Sequence, residues 1–425
     1  MIKYIEPQKE LFLSKEYDVI VCGGGPAGVS AAVTAARCGV KTALIESMGC
    51  IGGIWTAGLM PWVIDCYNKQ GVMAEICRRI IEKGQGKIAR GNALIADVED
   101  LKLLLEEMCL EAGVEIRLHT SVLSAVKTEE NNLKYIITES KSGRELWGAK
   151  VFIDCTGDGD VANFAGCGYD VGKPKTCEMQ PMSLVALISG INAEEIKEYN
   201  NSLPYTDKIN PKKKLLKVME TAGISPSYRS PSLFHVKDDM FLFMTNQEYK
   251  VSGMNADDLT KATLMARKEV HNIVNSLKSL GGIWQNIRVV ATAEKIGVRE
   301  GRRIHGLYKV TDQDIINGVK HKDCICNVTF GFDLHSVSCE KSDLKGKKAQ
   351  PYEIPMGAVI AKDVKGLLMA GRCISGDFLA HSSYRVTGNA ATLGEATGYM
   401  AAACVKKNIN THEMKFEDYI NEKEP

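Results

Sequence analysis

A glycine-rich turn near the amino terminus constrains the fold more than any other feature of this sequence. The segment Tyr17 to Gly28 reads YDVIVCGGGPAG, and its apolar residues 19–21 are typical of a buried parallel strand that leads into a helix. Gly23, Gly25 and Gly28 have the GxGxxG spacing. In this spacing the first glycine permits a tight turn, the second lets a pyrophosphate approach the backbone, and the third lets the helix lie close to the strand. With Pro26 and Ala27 between them, they predict a dinucleotide phosphate site at a helix amino terminus.

An acidic residue follows at the end of the next apolar run, TALIE, where Glu46 stands eighteen residues after Gly28. A carboxylate at this position accepts hydrogen bonds from ribose hydroxyls and repels a 2′-phosphate. We therefore expect a dinucleotide with a plain adenosine ribose, either FAD or NAD. The alternative is a glycine turn that binds nothing, and the order of strand, helix and acidic strand end disfavours it.

Composition limits the classes of partner. The chain has 425 residues, enough for two or three domains, and its 53 basic residues nearly cancel its 52 acidic ones. This balance argues against nucleic acid and anionic membranes as partners, so we expect a small-molecule substrate, with a redox partner protein and a homo-oligomer left open. The amino terminus lacks the pattern of a leader, and no apolar run is long enough to cross a membrane, so we expect a cytoplasmic protein.

The fourteen cysteines lie mostly inside apolar runs, which indicates reduced, packed thiols rather than disulfides. No CxxC pair is present, so no metal site is predicted. Cys324 and Cys326 would share one face of a strand, which leaves a redox or metal pair open beside ordinary burial. Cys50 has no local partner for disulfide exchange, so a packed thiol is its default interpretation.

The pattern along the chain predicts an α/β protein with an interrupted first domain. We place the first part of a dinucleotide-binding domain at residues 1–171, a second, substrate-binding domain at 172–344, and the return to the first domain at 345–425. In the first part, residues 122–147 read as a β-meander and 151–154 as a further buried strand. A second glycine turn follows, and it should lie beside the first phosphate loop. Its candidate cofactor-binding residues are Thr156, Gly157 and Asp158. In the last part, Leu367 to Arg372 reads as a strand with a glycine exit, and Thr387 is the expected N-cap of a small-residue helix that ends at Lys407.

Seven motifs occur in a fixed order: GGGPAG, Glu46, IDCTGDGD, IGVREGRRIHG, the DLH of Asp333 to His335, LLMAGRCIS and RVTGNAATLGEATG. This ordered set resembles the FAD-dependent oxidoreductase family of the glutathione-reductase-like flavoprotein superfamily, which is related to the flavin-binding part of heterodisulfide reductase. The resemblance implies FAD as the cofactor, a Rossmann-like domain with a parallel sheet and a β-meander, and a second α+β substrate domain. It also implies that the carboxyl-terminal segment completes the flavin site through Gly371, Arg372, Asp377, Asn389 and Ala390.

Two groups of residues are candidates for catalysis. Asp333 and His335 lie two apart, so on a strand they would share one face, and the aspartate could fix the tautomer of a histidine that acts as acid or base. A hydrogen-bonded pair that only ties down a loop is the alternative. His381, Ser383 and Arg385 form the second group. Arg385 could clamp a substrate carboxylate or pair with an acidic residue.

The basic turn with Arg299, Arg302 and Arg303 has several interpretations. These arginines could bridge the domains or contact FAD phosphates, and we expect at least one of them to lie on a solvated face.

The reaction expected from these features is hydride transfer between flavin N5 and a small polar metabolite. A single dinucleotide fingerprint argues against a separate NAD(P)H domain. Two alternatives remain: a flavoprotein electron-transfer subunit of a larger redox complex, and a flavin monooxygenase.

Overall fold

The computed structural model describes residues 3–5, 7–204, 210–335, 344 and 346–424. The strands are β1 Leu13–Cys22, β2 Thr42–Ile45, β3 Trp62–Val63, β4 Gly86–Ala89, β5 Ala93–Ala96, β6 Glu115–Arg117, β7 Ser121–Lys127, β8 Leu133–Ser140, β9 Gly143–Asp154, β10 Tyr169–Val171, β11 Ala186–Ser189, β12 Ser232–Lys237, β13 Met240–Met244, β14 Arg288–Thr292, β15 Arg302–Ile304, β16 Cys324–Val328, β17 Tyr352–Pro355 and β18 Leu367–Met369. The helices are α1 Pro26–Arg37, α2 Gly71–Glu82, α3 Val98–Glu111, α4 Asp160–Phe164, α5 Pro211–Thr221, α6 Ala256–Ser279, α7 Asp312–Asn317, α8 Phe378–Tyr384, α9 Thr387–Lys407 and α10 Phe416–Lys423.

A parallel sheet forms the centre of the first domain. Its strand order is β6-β2-β1-β9-β18, with every neighbouring pair parallel. Residues 19–22 of β1 are fully buried, because helices and connecting segments cover the sheet on both faces. The α/β fold predicted from the glycine turn is confirmed.

The β-meander and the parallel sheet share one long strand. Residues 143–148 of β9 pair with β8 in antiparallel fashion, and residues 152–154 pair with β18 in parallel. Because β9 also runs beside β1, the second glycine turn begins next to the first. A Cβ added at Gly23 would lie 2.4 Å from the carbonyl oxygen of Cys155. The meander therefore brings two separate glycine turns to one edge of the sheet.

Helix α9 crosses α1 at very short range. A Cβ at Gly394 would lie 2.0 Å from the carbonyl oxygen of Ala27, and one at Gly398 would lie 2.6 Å from that of Ala31. The glycines of this helix therefore allow direct contact with the backbone of α1. The N-cap is Val386, and Thr387 is the first helical residue, so the predicted capping by Thr387 is wrong. No side chain caps this end of the helix.

The second domain is built on an antiparallel sheet with strand order β12-β13-β11-β14. One face packs against α5 and α6 in a core of its own, with Phe241, Phe243 and Ile273 fully buried. The opposite face packs against the small sheet β3-β5-β4, where Trp62 and Ile95 belong to one apolar cluster with Phe234. A segment from the first third of the chain therefore lies under the second domain.

The chain returns to the first core earlier than the predicted residue 345. Strand β15 pairs with β10, and β16 pairs with β17. Ile304 and Ile325 belong to the same core as the parallel sheet. The domain limits stay a prediction, and this packing favours a return near residue 300. Among the described residues, no helix is both long and apolar enough to span a membrane.

Candidate active site

A cleft of about 680 Å³ separates the parallel sheet from the second domain. Its floor is the carboxyl edge of the sheet, since Gly23, Glu46, Cys155 and Ala370 line it and each directly follows a parallel strand. Its opposite wall carries Phe234 and other side chains of the second domain. Ligands of open α/β sheets collect at this edge. The cleft is therefore the candidate active site.

The three glycines of the first turn take three different positions. Gly23 has φ +97°, where only glycine is unstrained, and a Cβ at Gly28 would lie 1.8 Å from the carbonyl oxygen of Gly23. Gly28 therefore acts by packing, and it does not line the cleft. A Cβ at Gly25 would meet no atom within 4 Å, and Gly25 lines the cleft with Pro26 and Ala27. The turn thus leaves room at the uncapped start of α1, as a bound pyrophosphate requires.

Glu46 is buried at the end of β2 and lines the cleft. Its Oε2 accepts a hydrogen bond of 2.7 Å from the Gly24 N–H, and its Oε1 accepts bonds from the Ser47 hydroxyl and the Met48 N–H. The carboxylate therefore anchors the glycine turn to β2. Contact with a ribose stays a prediction.

The second glycine turn is organised by Asp154, a residue that the sequence analysis did not single out. Asp154 is fully buried and accepts hydrogen bonds from the Thr156 N–H, the Thr156 hydroxyl and the Ala162 N–H. Burial raises its pKa to about 6. Asp158 pairs with Arg372 at 2.7 Å, so two predicted cofactor-binding residues contact each other. The predicted cofactor residues that line this part of the cleft are Thr156, Gly157, Asp158, Gly371, Arg372 and Ala390.

Three further predicted site residues lie outside the cleft lining. Asp377 is the N-cap of α8, and its two oxygens accept hydrogen bonds from Ala380 N–H and Asp312 N–H. Asn389 is fully buried within α9. His381 is fully buried and packs edge-on against Tyr384, with ring centroids 5.4 Å apart. Burial and then the charge of Arg303 hold the pKa of His381 far below its usual range. None of these three residues lines the cleft, and the cofactor role of Asp377 and Asn389 and the catalytic role of His381 stay predictions.

Asp333, His335 and Arg385 come together in the cleft, although their local structure differs from the prediction. The segment that holds Asp333 and His335 is irregular rather than a strand. His335 Nε2 lies 3.4 Å from Asp333 Oδ2, and Arg385 donates to the same oxygen at 3.2 Å and to the Asp333 carbonyl oxygen at 2.8 Å. Gln247 Nε2 lies 2.7 Å from His335 Nδ1. This pattern fits a histidine whose proton is on Nε2, toward the carboxylate.

The charge states of this cluster follow from burial and from its neighbours. Burial and then the charge of Arg299 lower the pKa of His335 to about 4, against the attraction of Asp333. Burial alone would raise the pKa of Asp333, but the hydrogen bond from His335 and the charge of Arg385 hold it well below its usual range. At neutral pH the cluster therefore contains a neutral imidazole, a carboxylate and arginine cations.

The basic turn contributes Arg299 to the cleft. Arg299 Nη1 donates to the Pro181 carbonyl oxygen at 2.6 Å and to the Ser183 hydroxyl at 3.0 Å, both neutral acceptors. Arg302 pairs with Asp160, and Arg303 pairs with Glu300 in the interior. All three arginines are at least partly buried, so the expectation that one of them lies on a solvated face is wrong.

Asp65 anchors the loop that leads to Asp333. Its Oδ2 accepts hydrogen bonds from the Thr329 N–H at 3.1 Å and the Phe330 N–H at 3.3 Å, and Lys69 Nζ lies 3.4 Å from the same oxygen. The start of α9 packs on this turn, because a Cβ at Gly388 would lie 2.3 Å from the Asp65 carbonyl oxygen. Ser383 belongs to the same buried region, where its hydroxyl donates to the Phe330 carbonyl oxygen.

Sequence reasoning missed the residues of the cleft that come from the second domain. Tyr228, Lys212, Phe234 and Met244 line the cleft, and Gln247 orients His335. No motif marks them, since their position depends on how the second sheet packs over the first. The apolar character of β12 and β13 was a signal for Phe234 and Met244, whereas Lys212 lies in α5 and Tyr228 in an irregular segment.

The cysteines with proposed redox roles are packed thiols in this structure. Cys50 Sγ lies 3.8 Å from the Thr56 hydroxyl, outside the cleft lining, and burial raises its pKa. A register shift separates Cys324 from Cys326 in β16. Burial raises the pKa of Cys324 to about 11 and that of Cys326 to about 12. These values oppose formation of the reactive thiolate.

Comparison with known proteins adds a family to this geometry. Residues 18–422 match the family model described as FAD dependent oxidoreductase. The chain is 27% identical over 192 residues to the tRNA uridine 5-carboxymethylaminomethyl modification enzyme MnmG of Campylobacter fetus. The matched region covers 42% of this chain and 30% of that protein. It is 30% identical over 176 residues to the digeranylgeranylglycerophospholipid reductase of Methanocella arvoryzae. The matched region covers 36% of this chain and 43% of that protein.

The fold also matches a solved structure over almost its whole length. The flavin-dependent brominase Bmp2 has a TM-score of 0.50 at 12% identity, covering 96% of this chain and 83% of that one. The glycine turns and the open space at Gly25 fit the cofactor that the family name states. The chain belongs to the FAD-dependent oxidoreductase family, and it is an enzyme with FAD as its cofactor.

Proposed function

We propose that this enzyme transfers a hydride between FAD and a small polar metabolite in the cleft described above. The observation that carries the proposal is the cluster of Asp333, His335, Arg385 and Arg299, which lines the same cleft as the glycine turns. When bound, FAD supplies the acceptor or donor for the hydride. The residues that would hold it are Gly25, Pro26, Ala27, Glu46, Gly157, Gly371 and Ala390.

The protein side chains have two tasks in this proposal. Arg385 and Arg299 bind a polar group of the substrate, since a guanidinium presents several donors in a fixed plane. The proton that accompanies the hydride is exchanged at the carboxylate of Asp333, and the Nε2–H of His335 holds that carboxylate in place by donating to Oδ2. Gln247 keeps the imidazole in one orientation through Nδ1.

An anaerobic screen tests the proposal. The FAD-loaded protein is mixed with candidate metabolites, and loss of the flavin absorbance at about 450 nm is recorded. We expect a metabolite alone to reduce the flavin. Reduction only by a partner protein would favour an electron-transfer subunit, and reduction by NADPH with oxygen uptake would favour a monooxygenase. Either result would replace the present proposal.

Variants then test the residue roles with the metabolite found. We expect Asp333→Asn to lower the rate of flavin reduction by about 10²-fold or more, as the loss of a general acid or base does, and His335→Gln to lower it as well, because Asp333 then loses its imidazole donor. The exposed His271 on α6 provides a matched control, and His271→Gln should keep the full rate. Full rates in both His335→Gln and Arg385→Met would refute the assignment of the cluster.

A further inference from the structure

Charge is distributed unevenly along the cleft. At the glycine-turn end, Asp158 pairs with Arg372 and Asp160 with Arg302, so cations and carboxylates balance. The end under the second domain is lined by the cations Lys212, Arg299 and Arg385, and among the described residues there it has one carboxylate, Asp333. This end of the cleft therefore carries an excess of positive charge.

Asp333 compensates only one of these cations by direct contact. The Asp333 carboxylate forms an ion pair with Arg385, whereas the described contacts of Arg299 are with a carbonyl and a hydroxyl oxygen. Lys212, in the first turn of α5, has no ion-pair partner among the described residues. Grouping cations without matching carboxylates in a partly closed cleft is unfavourable unless an anion is bound.

The cations act on one another across this space. Burial and the nearby Arg90 lower the pKa of Lys212, and Asp333 partly offsets them. Burial and the nearby Arg385 lower the pKa of Arg299 to about 10. Lys212, Arg299 and Arg385 line the same cleft as Asp333, so these groups face a common space.

An apolar wall lies beside these charges. Trp62 and Phe234 form an aromatic pair with ring centroids 4.5 Å apart, and both line the cleft. Ile64, Val185 and Met244 continue this wall. Aromatic and aliphatic side chains with a few convergent polar groups are typical of a site for an organic ligand.

We propose that this end of the cleft binds the oxyanion, a carboxylate or a phosphate, that makes the metabolite polar, while the apolar carbon skeleton of the metabolite rests on Trp62 and Phe234. Lys212 and Arg299 bind the anionic group, with Arg385 at its edge beside Asp333. This inference rests on the proposed function, because it specifies the substrate class for the same site.

Calorimetric titration of the FAD-loaded protein tests the inference without turnover. The probes are benzoate, benzamide, phenyl phosphate and acetate. We expect at least one of the two aromatic anions, benzoate or phenyl phosphate, to bind at least about tenfold more tightly than benzamide, which has the same ring without the charge. We also expect benzoate to bind at least about tenfold more tightly than acetate, which lacks the ring. The preference between benzoate and phenyl phosphate identifies the oxyanion, and either preference supports the proposal. Equal affinity for benzamide and both aromatic anions overturns it.

A pair of neighbouring lysines supplies matched variants. Lys212 lines the cleft, whereas Lys213 is exposed on the same helix. We expect Lys212→Met to weaken binding of the preferred aromatic anion by at least about tenfold and to leave benzamide binding unchanged, while Lys213→Met changes neither. Unchanged binding of that anion in Lys212→Met overturns the proposed site. Failure of every metabolite to reduce the flavin, with anion selectivity intact, would instead refute the hydride-transfer function alone.

Discussion

The low pKa of His335 makes the stability of this protein depend on pH in a way that one substitution removes. The side chain of His335 is 15% exposed, and burial and then the charge of Arg299 lower its pKa to about 4. In the unfolded chain a histidine has a pKa of about 6.5. As the pH falls below about 6.5, the unfolded chain therefore binds a proton at this histidine that the folded protein does not bind. The free energy of unfolding decreases until the pH reaches about 4.

The size of the effect follows from the two pKa values. Proton linkage between about 6.5 and about 4 amounts to about 2.5 kcal/mol at pH 4.5 and to almost nothing at pH 7.5. Asp333 contributes in a lower range, because its depressed pKa affects stability only as the pH falls below its ordinary value of 3.8. Measurements down to pH 4.5 therefore exclude Asp333, and groups such as Asp154 that also titrate in this range are common to the wild type and the variant.

Urea unfolding of the FAD-loaded protein, followed by tryptophan fluorescence between pH 7.5 and pH 4.5, measures this difference. We expect the wild type to lose about 2.5 kcal/mol more than His335→Gln over this range, because the variant lacks the titrating group. The matched variant His271→Gln, on the exposed surface of α6, controls for the substitution itself. Equal losses in wild type and His335→Gln, within about 0.5 kcal/mol, would contradict the burial and charge environment described for His335.

Three glycine and carboxylate variants test the cofactor end of the cleft. Gly25→Ala should weaken FAD binding by about tenfold or more in a fluorescence titration, because the added Cβ occupies the open space of the turn. The melting temperature of the FAD-free protein should stay the same, because this Cβ meets no protein atom within 4 Å. Gly394→Ala should lower the free energy of unfolding by about 1–3 kcal/mol, because its Cβ would lie 2.0 Å from the Ala27 carbonyl oxygen. Gly25→Ala is its control, and an unchanged urea midpoint in Gly394→Ala would refute the close crossing of α1 and α9. Glu46→Gln should reduce FAD affinity and should lower the free energy of unfolding by about 1–3 kcal/mol, because the amide nitrogen of glutamine cannot accept the hydrogen bonds that one carboxylate oxygen accepts. Full FAD affinity in this variant would show that the anchoring of the glycine turn is dispensable.

The sequence alone was sufficient for the features that depend on local chemistry. The glycine spacing, the apolar strand and the small-residue helix determine a phosphate turn, since each position has a steric reason that neighbouring residues reveal. The acidic residue at the end of β2 and the second glycine turn are equally local. From them the parallel sheet and a bound FAD or NAD could be predicted, and the resemblance of the ordered motifs implied FAD.

Only the tertiary structure decided which side chains share the cleft. His381 and Arg385 are four residues apart, yet one is buried against Tyr384 and the other reaches Asp333, because a helix end separates them. Lys212 and Phe234 line the cleft through the packing of one sheet over another, and no local pattern encodes that contact. Local residues thus determine where a phosphate can bind, whereas the charge and shape of the substrate end depend on long-range packing.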